Sequence, residues 1–302
     1  MREIISEFLT NKALSNPDFY VLSGDHGYAL FDEIRKKCPE QFINVGVSEQ
    51  AMIGYAAGMT KLGLKTVVYG LSAFIPLRVF EFIKMDICYE DLPVILLGDG
   101  AGLVYSTLGP SHQCAEDIAC MRTLQNINIF SPCDSFEMEA CLEKAYSSKY
   151  PSYIRIGKAD KGTIHSSKIN LDNSTFIKLN DTKSDIAFFA TGSMVSTSIE
   201  ISKNFPITVF SIPEISNIKI DEFIKLCSEF KIIVSLEEHS IHGGLGSAIS
   251  ELITENDLNK KLIRIGINNR FTKRCGSYEY ALREHGIDKE SILNKLKTLK
   301  IF

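Results

Sequence analysis

Phe42-Ile43-Asn44-Val45-Gly46-Val47-Ser48-Glu49-Gln50-Ala51-Met52-Ile53-Gly54-Tyr55-Ala56-Ala57-Gly58-Met59-Thr60-Lys61-Leu62-Gly63 is the stretch that decides the fold. It reads as a short buried strand, 42–47, running into a helix that starts at Ser48 or Glu49. Ser48 is placed to cap that helix, and the neighbouring acid suits its positive N-terminal end. Ala51, Gly54, Ala56, Ala57 and Gly58 make the helix unusually small-sided, at a cost in helix propensity, so another surface can approach closely. Glu49 is then an acid at the mouth of an almost uncharged element. Such a carboxyl is either a helix cap on an ordinary αβ unit or a group with chemical work to do. The stretch alone leaves the two readings even.

Outward from this unit the same pattern repeats. Strands are expected at 19–23, 65–69, 93–97, 127–130 and 152–156, and helices at 1–15, 29–37, 74–89, 114–123 and 135–147. The uninterrupted apolar run 93–97 predicts a strand buried on both faces. Strands alternating with helices predict an α/β architecture with a parallel sheet covered on both sides. The sites of such a sheet lie at the C-terminal ends of its strands. Asp25, Glu49, Gly70 and the loop from Gly98 to His112 all fall at such ends.

Residues 159–184 turn polar and weakly periodic, which marks a linker. Strands at 186–191, 207–212, 232–236 and 262–267 then resume, with helices near 194–203, 221–230, 245–255, 277–285 and 288–299. The chain thus divides into a first domain over 1–160, a linker over 161–184 and a smaller α/β domain over 185–302. A length of 302 residues fits two domains. No internal repeat or low-complexity segment is present.

Composition narrows the function classes. Hydrophobic residues at 45% are ordinary for a soluble globular protein. A net charge of −4 gives no reason to expect nucleic acid or an anionic membrane as partner. The acids at Glu3 and Glu7 interrupt any signal-peptide core, and no apolar run is long enough to span a bilayer. Eight scattered cysteines without a Cys-x-x-Cys pair read as reduced thiols of a cytoplasmic protein.

Four runs on this frame carry a resemblance: Asn44-Val45-Gly46-Val47-Ser48-Glu49-Gln50, Gly109-Pro110-Ser111-His112-Gln113, Ser131-Pro132-Cys133-Asp134, and Gly243-Gly244-Leu245-Gly246-Ser247-Ala248 after Glu237-Glu238-His239. In this order the chain resembles the C-terminal half of transketolase, a thiamine diphosphate enzyme. The likeness covers nearly its whole length and is greatest to the C-terminal subunits of split transketolases. The resemblance implies two doubly wound α/β domains, a pyrimidine-type cofactor domain followed by a transketolase C-terminal-type domain. It also implies transfer of a two-carbon ketol unit from a ketose to an aldehyde.

The resemblance gives Glu49 its chemical reading, as the buried carboxyl that holds N1′ of the aminopyrimidine and so activates the cofactor. It implies that Phe74 stacks on that ring. Phe80 is a further pocket residue or a core phenylalanine. His112 is implied to face the substrate's first carbons, whereas Gln113 reads as structural. Asp25 corresponds to an aspartate bordering the thiazolium, although a turn cap explains it equally well. His26 lies outside the family pattern, as a local substrate contact or an exposed loop residue. Arg2 and Lys158 fall near positions that bind the substrate's phosphate, or are solvated charges.

Two departures stand out. Leu108 replaces an aspartate that touches a substrate hydroxyl, and Gly100 replaces a phosphate-binding histidine, so a specialised sugar or sugar conjugate is expected. Gly98-Asp99-Gly100 with Asn126 and Asn128 imitates the motif by which the superfamily's other domain holds Mg²⁺ and diphosphate, but it sits on the wrong strand for that role. No metal ligand is therefore expected on this chain. The resemblance places Mg²⁺ (or Ca²⁺) and the cofactor diphosphate on a separate N-terminal partner subunit, in an α₂β₂ assembly with self-association through both domains. The alternatives are a 1-deoxyxylulose-5-phosphate-synthase-like enzyme, the β subunit of a 2-oxo acid dehydrogenase, or a non-catalytic scaffold or regulatory half.

Overall fold

A computed structural model describes residues 1–158 and 162–301. The expected boundary between residues 160 and 161 lies outside the described residues. Among them, no helix is long and apolar enough to cross a membrane.

The first sheet contains β1 (Phe19–Ser23), β2 (Phe42–Asn44), β3 (Lys65–Leu71), β4 (Ile95–Asp99), β5 (Asn128–Phe130) and β6 (Ser152–Ile156). Its order is β2-β1-β3-β4-β6-β5, and all pairs are parallel. Its helices are α1 (Arg2–Ser15), α2 (Asp32–Lys37), α3 (Glu49–Lys61), the single turn α4 (Phe80–Phe82), α5 (Asp117–Arg122) and α6 (Ser135–Ser147). β4 shows why the central strands are continuously apolar. Ile95 and Leu97 enter one core with Ile5, Leu9, Met138 and Leu142, while Leu96 enters the opposite core with Met52, Ile53, Ala56 and Ile118. Successive side chains alternate faces, so a strand between two helical layers needs apolar residues at every position.

The second sheet holds β7 (Ile177–Lys178), β8 (Ile186–Ala190), β9 (Thr208–Ser211), β10 (Ile232–Ser240) and β11 (Lys261–Ile267), in the order β11-β10-β8-β9-β7. It is flanked by α7 (Met194–Ser202), α8 (Ile220–Glu229), α9 (Leu245–Glu255), α10 (Tyr278–His285) and α11 (Lys289–Thr298). Within this sheet β7 runs antiparallel to β9, with Ile177 opposite Ser211.

Four local expectations differ from the structure. The stretch read as linker carries β7, an edge strand of two residues that is too short to leave a periodic signal. The strand expected over 42–47 ends at Asn44, because the Asn44 side chain accepts the Gly46 amide at 2.9 Å and Gly46 turns left-handed at φ 72°. Ser48 stands at the N-cap of α3, but its hydroxyl makes no capping bond. The helix expected over 74–89 is also broken. Pro76 disfavours a helical residue before it, and the chain continues as a 3₁₀ turn (Leu77–Val79), α4 and a π-helical segment (Ile83–Cys88).

The two domains are joined through buried polar groups. Arg155 Nε donates to Asp117 at 2.8 Å, and its guanidinium reaches the Glu238 carbonyl at 2.6 Å. The Glu238 carboxylate accepts the Leu103 amide at 2.7 Å and the hydroxyls of Ser193 and Tyr278. Glu237 caps α9 by accepting the amides of Leu245 and Gly246, and burial pushes it up to about 7. His239 Nε2 accepts the Ala119 amide, and burial pushes its imidazole down to about 4. The Glu-Glu-His run therefore serves as a joint that fixes the base of the loop after β4.

Candidate active site

β1, β3 and β4 lie side by side, and β2 follows β1 at the edge. Their C-terminal ends bring the segments at Asp25–His26, Glu49, Phe74–Arg78 and Asp99–His112 to one end of the sheet. Glu49 belongs to the stripe of α3 that also carries Met52, Ile53, Ala56 and Thr60, spaced by three or four residues. That stripe faces the core, so the carboxyl is only 4% exposed. The opposite face of α3 is open: no described residue lies within 4 Å of a Cβ placed at Gly54 or Gly58, and Tyr55 and Leu62 are exposed.

A cation meets Glu49. Arg78 Nη1 donates to Glu49 Oε2 at 2.9 Å, and the same guanidinium lies 3.9 Å from the centroid of the Phe74 ring. The Phe74 ring in turn meets His112 edge-on at 5.6 Å, and Ser111 Oγ pairs with His112 Nδ1 at 2.9 Å. Glu49, Phe74 and His112 are thus linked by one chain of contacts that runs through Arg78. Arg78 was not anticipated. Its spacing of four residues from Phe74 is the only sequence signal, and a solvated arginine fits that spacing as well.

Tyr105, whose ring centroid lies 6.4 Å from that of His112, links these contacts to Asp99. Asp99 Oδ2 accepts the Arg2 guanidinium at 2.7 Å, the Tyr69 hydroxyl at 2.8 Å and the Tyr105 hydroxyl at 3.2 Å. Burial, reinforced by Asp99, pushes the Tyr105 phenol up to about 12, so it stays a donor. Asp99 ends β4, whereas Asn128 begins β5 in a parallel sheet, and Asn126 is exposed and bonded to Asp91. The Gly-Asp-Gly imitation of a metal motif therefore spans opposite ends of the sheet. Gly100 also has a local explanation. Its φ is +74°, and a Cβ there would run into the Tyr105 ring. Gly100→Ala should destabilise the chain by about 1–3 kcal/mol, read by denaturant unfolding, and should displace Tyr105 from Asp99.

His26 lies against Tyr69, ring centroids 5.6 Å apart. Its Nε2 is buried without a hydrogen-bond partner among the described residues. Burial lowers its affinity for a proton, against the opposing pull of Glu49, Asp99 and Asp25. A neutral imidazole with a free ring nitrogen is thus held beside Tyr69. Asp25, exposed at φ 29°, closes a turn with Asn44, whose side chain accepts the Asp25 amide at 3.2 Å.

Of the remaining residues, Arg2 alone reaches the Asp99 group. Arg2 is half-exposed and engaged with Asp99. Phe80 packs against the core beneath α3, the structural alternative weighed for it. Lys158 Nζ lies 5.3 Å over the Tyr278 ring at the domain joint. Gln113 is buried and accepts the Thr272 hydroxyl at 2.6 Å, which ties the loop to the second domain.

The residues present fit the aminopyrimidine end of thiamine diphosphate. A buried carboxylate and an aromatic face border one slot, and that slot already accepts a flat N–H donor.

Comparison with known proteins places the fold in a family. Residues 1–162 match the transketolase pyrimidine-binding domain, and residues 177–292 match the transketolase C-terminal domain. The chain is 37% identical to a putative transketolase C-terminal section of Methanocaldococcus jannaschii, covering 91% of this chain and 87% of that protein. It is 30% identical to an apulose-4-phosphate transketolase subunit of Actinobacillus succinogenes, covering 86% and 85%. It is 31% identical to the 1-deoxy-D-xylulose-5-phosphate synthase of Dictyoglomus thermophilum, covering 88% of this chain but 44% of that one. A solved split-gene transketolase, described as an inactive beta4 tetramer, superposes with a TM-score of 0.88 at 28% identity over 98% of this chain and 97% of its own. The two domain matches and the relatives aligned over most of their own length converge: the chain belongs to the transketolase family and corresponds to its C-terminal half.

Proposed function

We propose that this chain is the pyrimidine-side subunit of a thiamine-diphosphate-dependent transketolase, which moves a two-carbon ketol unit from a ketose donor to an aldehyde acceptor. The observation that carries this reading is the slot formed by buried Glu49 and the face of Phe74, with His112 at its edge. Thiamine diphosphate, when bound, supplies the nucleophilic carbon that a polypeptide lacks. Glu49 would hold and release a proton at ring N1′, and Phe74 would fix the ring plane. His112 and neutral His26 would bond the hydroxyl and carbonyl oxygens of the sugar. Asp25 borders the same end of the sheet, while Arg2 and Lys158 are farther candidates for a substrate phosphate.

The diphosphate and its Mg²⁺ or Ca²⁺ are assigned to a separate N-terminal subunit, in an α₂β₂ assembly. The open face of α3, with Gly54, Tyr55, Gly58 and Leu62 in helical register, suits close packing against another chain. Eight free cysteines agree with a cytoplasmic setting. The altered positions Leu108 and Gly100 favour a specialised sugar or sugar conjugate, and one relative is named for apulose-4-phosphate. A 1-deoxyxylulose-5-phosphate-synthase-like condensation is the second reading, supported by the relative named for that activity.

Calorimetric titration with thiamine diphosphate and Mg²⁺ tests the subunit reading. Binding is expected only after co-purification with the diphosphate-binding partner, and tight binding by the chain alone would overturn it. Turnover with a ketose phosphate as donor supports transketolase, whereas turnover with pyruvate supports the second reading.

A further inference from the structure

The cofactor reading leaves Arg78 unexplained, and the role assigned to Arg78 below rests on that reading. The Arg78 guanidinium is flat, carries N–H donors at its rim, lies on the Phe74 face at 3.9 Å and donates to Glu49 at 2.9 Å. These are the two contacts that an aminopyrimidine ring would make in the same slot: an aromatic face below and the Glu49 carboxylate at the edge. Both positions cannot be filled at once by a ring and a guanidinium. We infer that Arg78 is a stand-in for the cofactor ring, occupying the slot in the unloaded chain and leaving it when the cofactor binds.

The local structure allows this motion. Arg78 sits in the 3₁₀ turn Leu77–Val79, between Pro76 and the single turn α4, rather than inside a long helix. Its side chain is 44% exposed, so solvent is open to it on the outer side. Glu49, by contrast, is fixed on the buried stripe of α3 and cannot follow. The pairing also has a use before assembly. A carboxylate buried at a sheet end costs stability unless a partner meets it, and Arg78 supplies that partner for Glu49.

Two opposite effects of one substitution follow. Removing Arg78 strips Glu49 of its partner, so the unloaded chain should melt earlier. The same change opens the slot, so the cofactor should bind more tightly. Apparent affinity is reduced by the fraction of molecules whose site is open. A partly exposed ion pair and one cation–π contact together set that fraction, which places the gain at about five- to thirty-fold. A residue with a merely structural role would lower stability without raising affinity.

The test uses the complex of this chain with its diphosphate-binding partner, titrated calorimetrically with thiamine diphosphate and Mg²⁺. Arg78→Ala should tighten binding by that factor, with Arg78→Lys between it and the native complex. Unchanged or weaker binding in Arg78→Ala overturns the inference while leaving the cofactor reading intact. No binding by the native complex overturns the cofactor reading and this inference with it. A second measurement needs no cofactor. In the isolated ¹⁵N-labelled chain, the Arg78 Nε–H resonance, identified by its loss in Arg78→Lys, should be ring-shifted and should lose that shift in Phe74→Leu. A free-arginine position in the native chain would overturn the proposed geometry directly.

Discussion

Glu49→Gln is expected to lower turnover of the reconstituted complex by about 10²–10⁴-fold, the range that a positioned acid–base group contributes. Glutamine keeps the size and one acceptor oxygen of the side chain but can neither carry the charge nor pass the proton. The buried stripe of Met52, Ile53 and Ala56 that seats Glu49 is untouched, so the fold should survive. Arg78, which loses the charge of its partner, is 44% exposed and can turn to solvent. Steady-state turnover checks the loss, with a melting curve for each preparation to separate chemistry from folding. Native turnover in a folded Glu49→Gln complex would make the catalytic assignment wrong. Turnover lost together with the melting transition would mean that the carboxylate serves only to hold α3 in place.

The largest stability effect is expected at the domain joint. Asp117 is fully buried and Arg155 is 2% exposed, and their ion pair at 2.8 Å is supported by the Tyr153 hydroxyl on Asp117 at 2.8 Å and the Glu238 carbonyl on Arg155 at 2.6 Å. Breaking a buried pair from one side leaves an uncompensated charge and costs about 3–5 kcal/mol. Arg155→Met or Asp117→Ala should therefore move the first denaturant transition by that amount. The double variant Asp117→Leu/Arg155→Met should recover part of the loss, because no charge is then stranded. A double variant worse than either single change would show that the hydrogen bonds from Arg155 to the Glu238 carbonyl and from Tyr153 to Asp117, rather than the charge balance, hold the joint.

The joint also bears on chemistry. Gly102 and Cys114 exchange backbone hydrogen bonds across the base of the loop that carries His112, and Leu103 is fixed by Glu238 from the second domain. Loosening Arg155 should thus reduce turnover even though no joint residue faces the slot. Positioning a reacting group within a fraction of an ångström is the part of catalysis most easily lost to a distant change.

Much of this was legible in the chain itself. Apart from the two-residue edge strand β7, both sheets could be read from the strand runs, because continuous apolar segments such as 93–97 are required wherever a strand lies between helical layers. Glu49 was visible as an acid at a helix mouth, since strand end, turn and buried stripe are all local. The resemblance runs turned out to divide. The Glu49 and His112 runs line the slot, whereas Glu237-Glu238-His239 and Gly243 bind the domains together through Arg155, Ala119 and Arg122. Nothing in their composition separates the two roles.

The sequence by itself determined the order of strands and helices, the position of Glu49 and the family, because periodicity and motif are properties of neighbours along the chain. Only the tertiary structure decided which groups meet. Arg78 joins Glu49 across 29 residues, Arg2 joins Asp99 across 97, and Arg155 joins Glu238 across 83. A charged side chain looks the same in sequence whether it is solvated or paired, and its role is set by the burial and geometry that folding brings to it. For the stretch 42–63, that distinction adds to a buried acid a particular cation lying across the slot it was expected to serve.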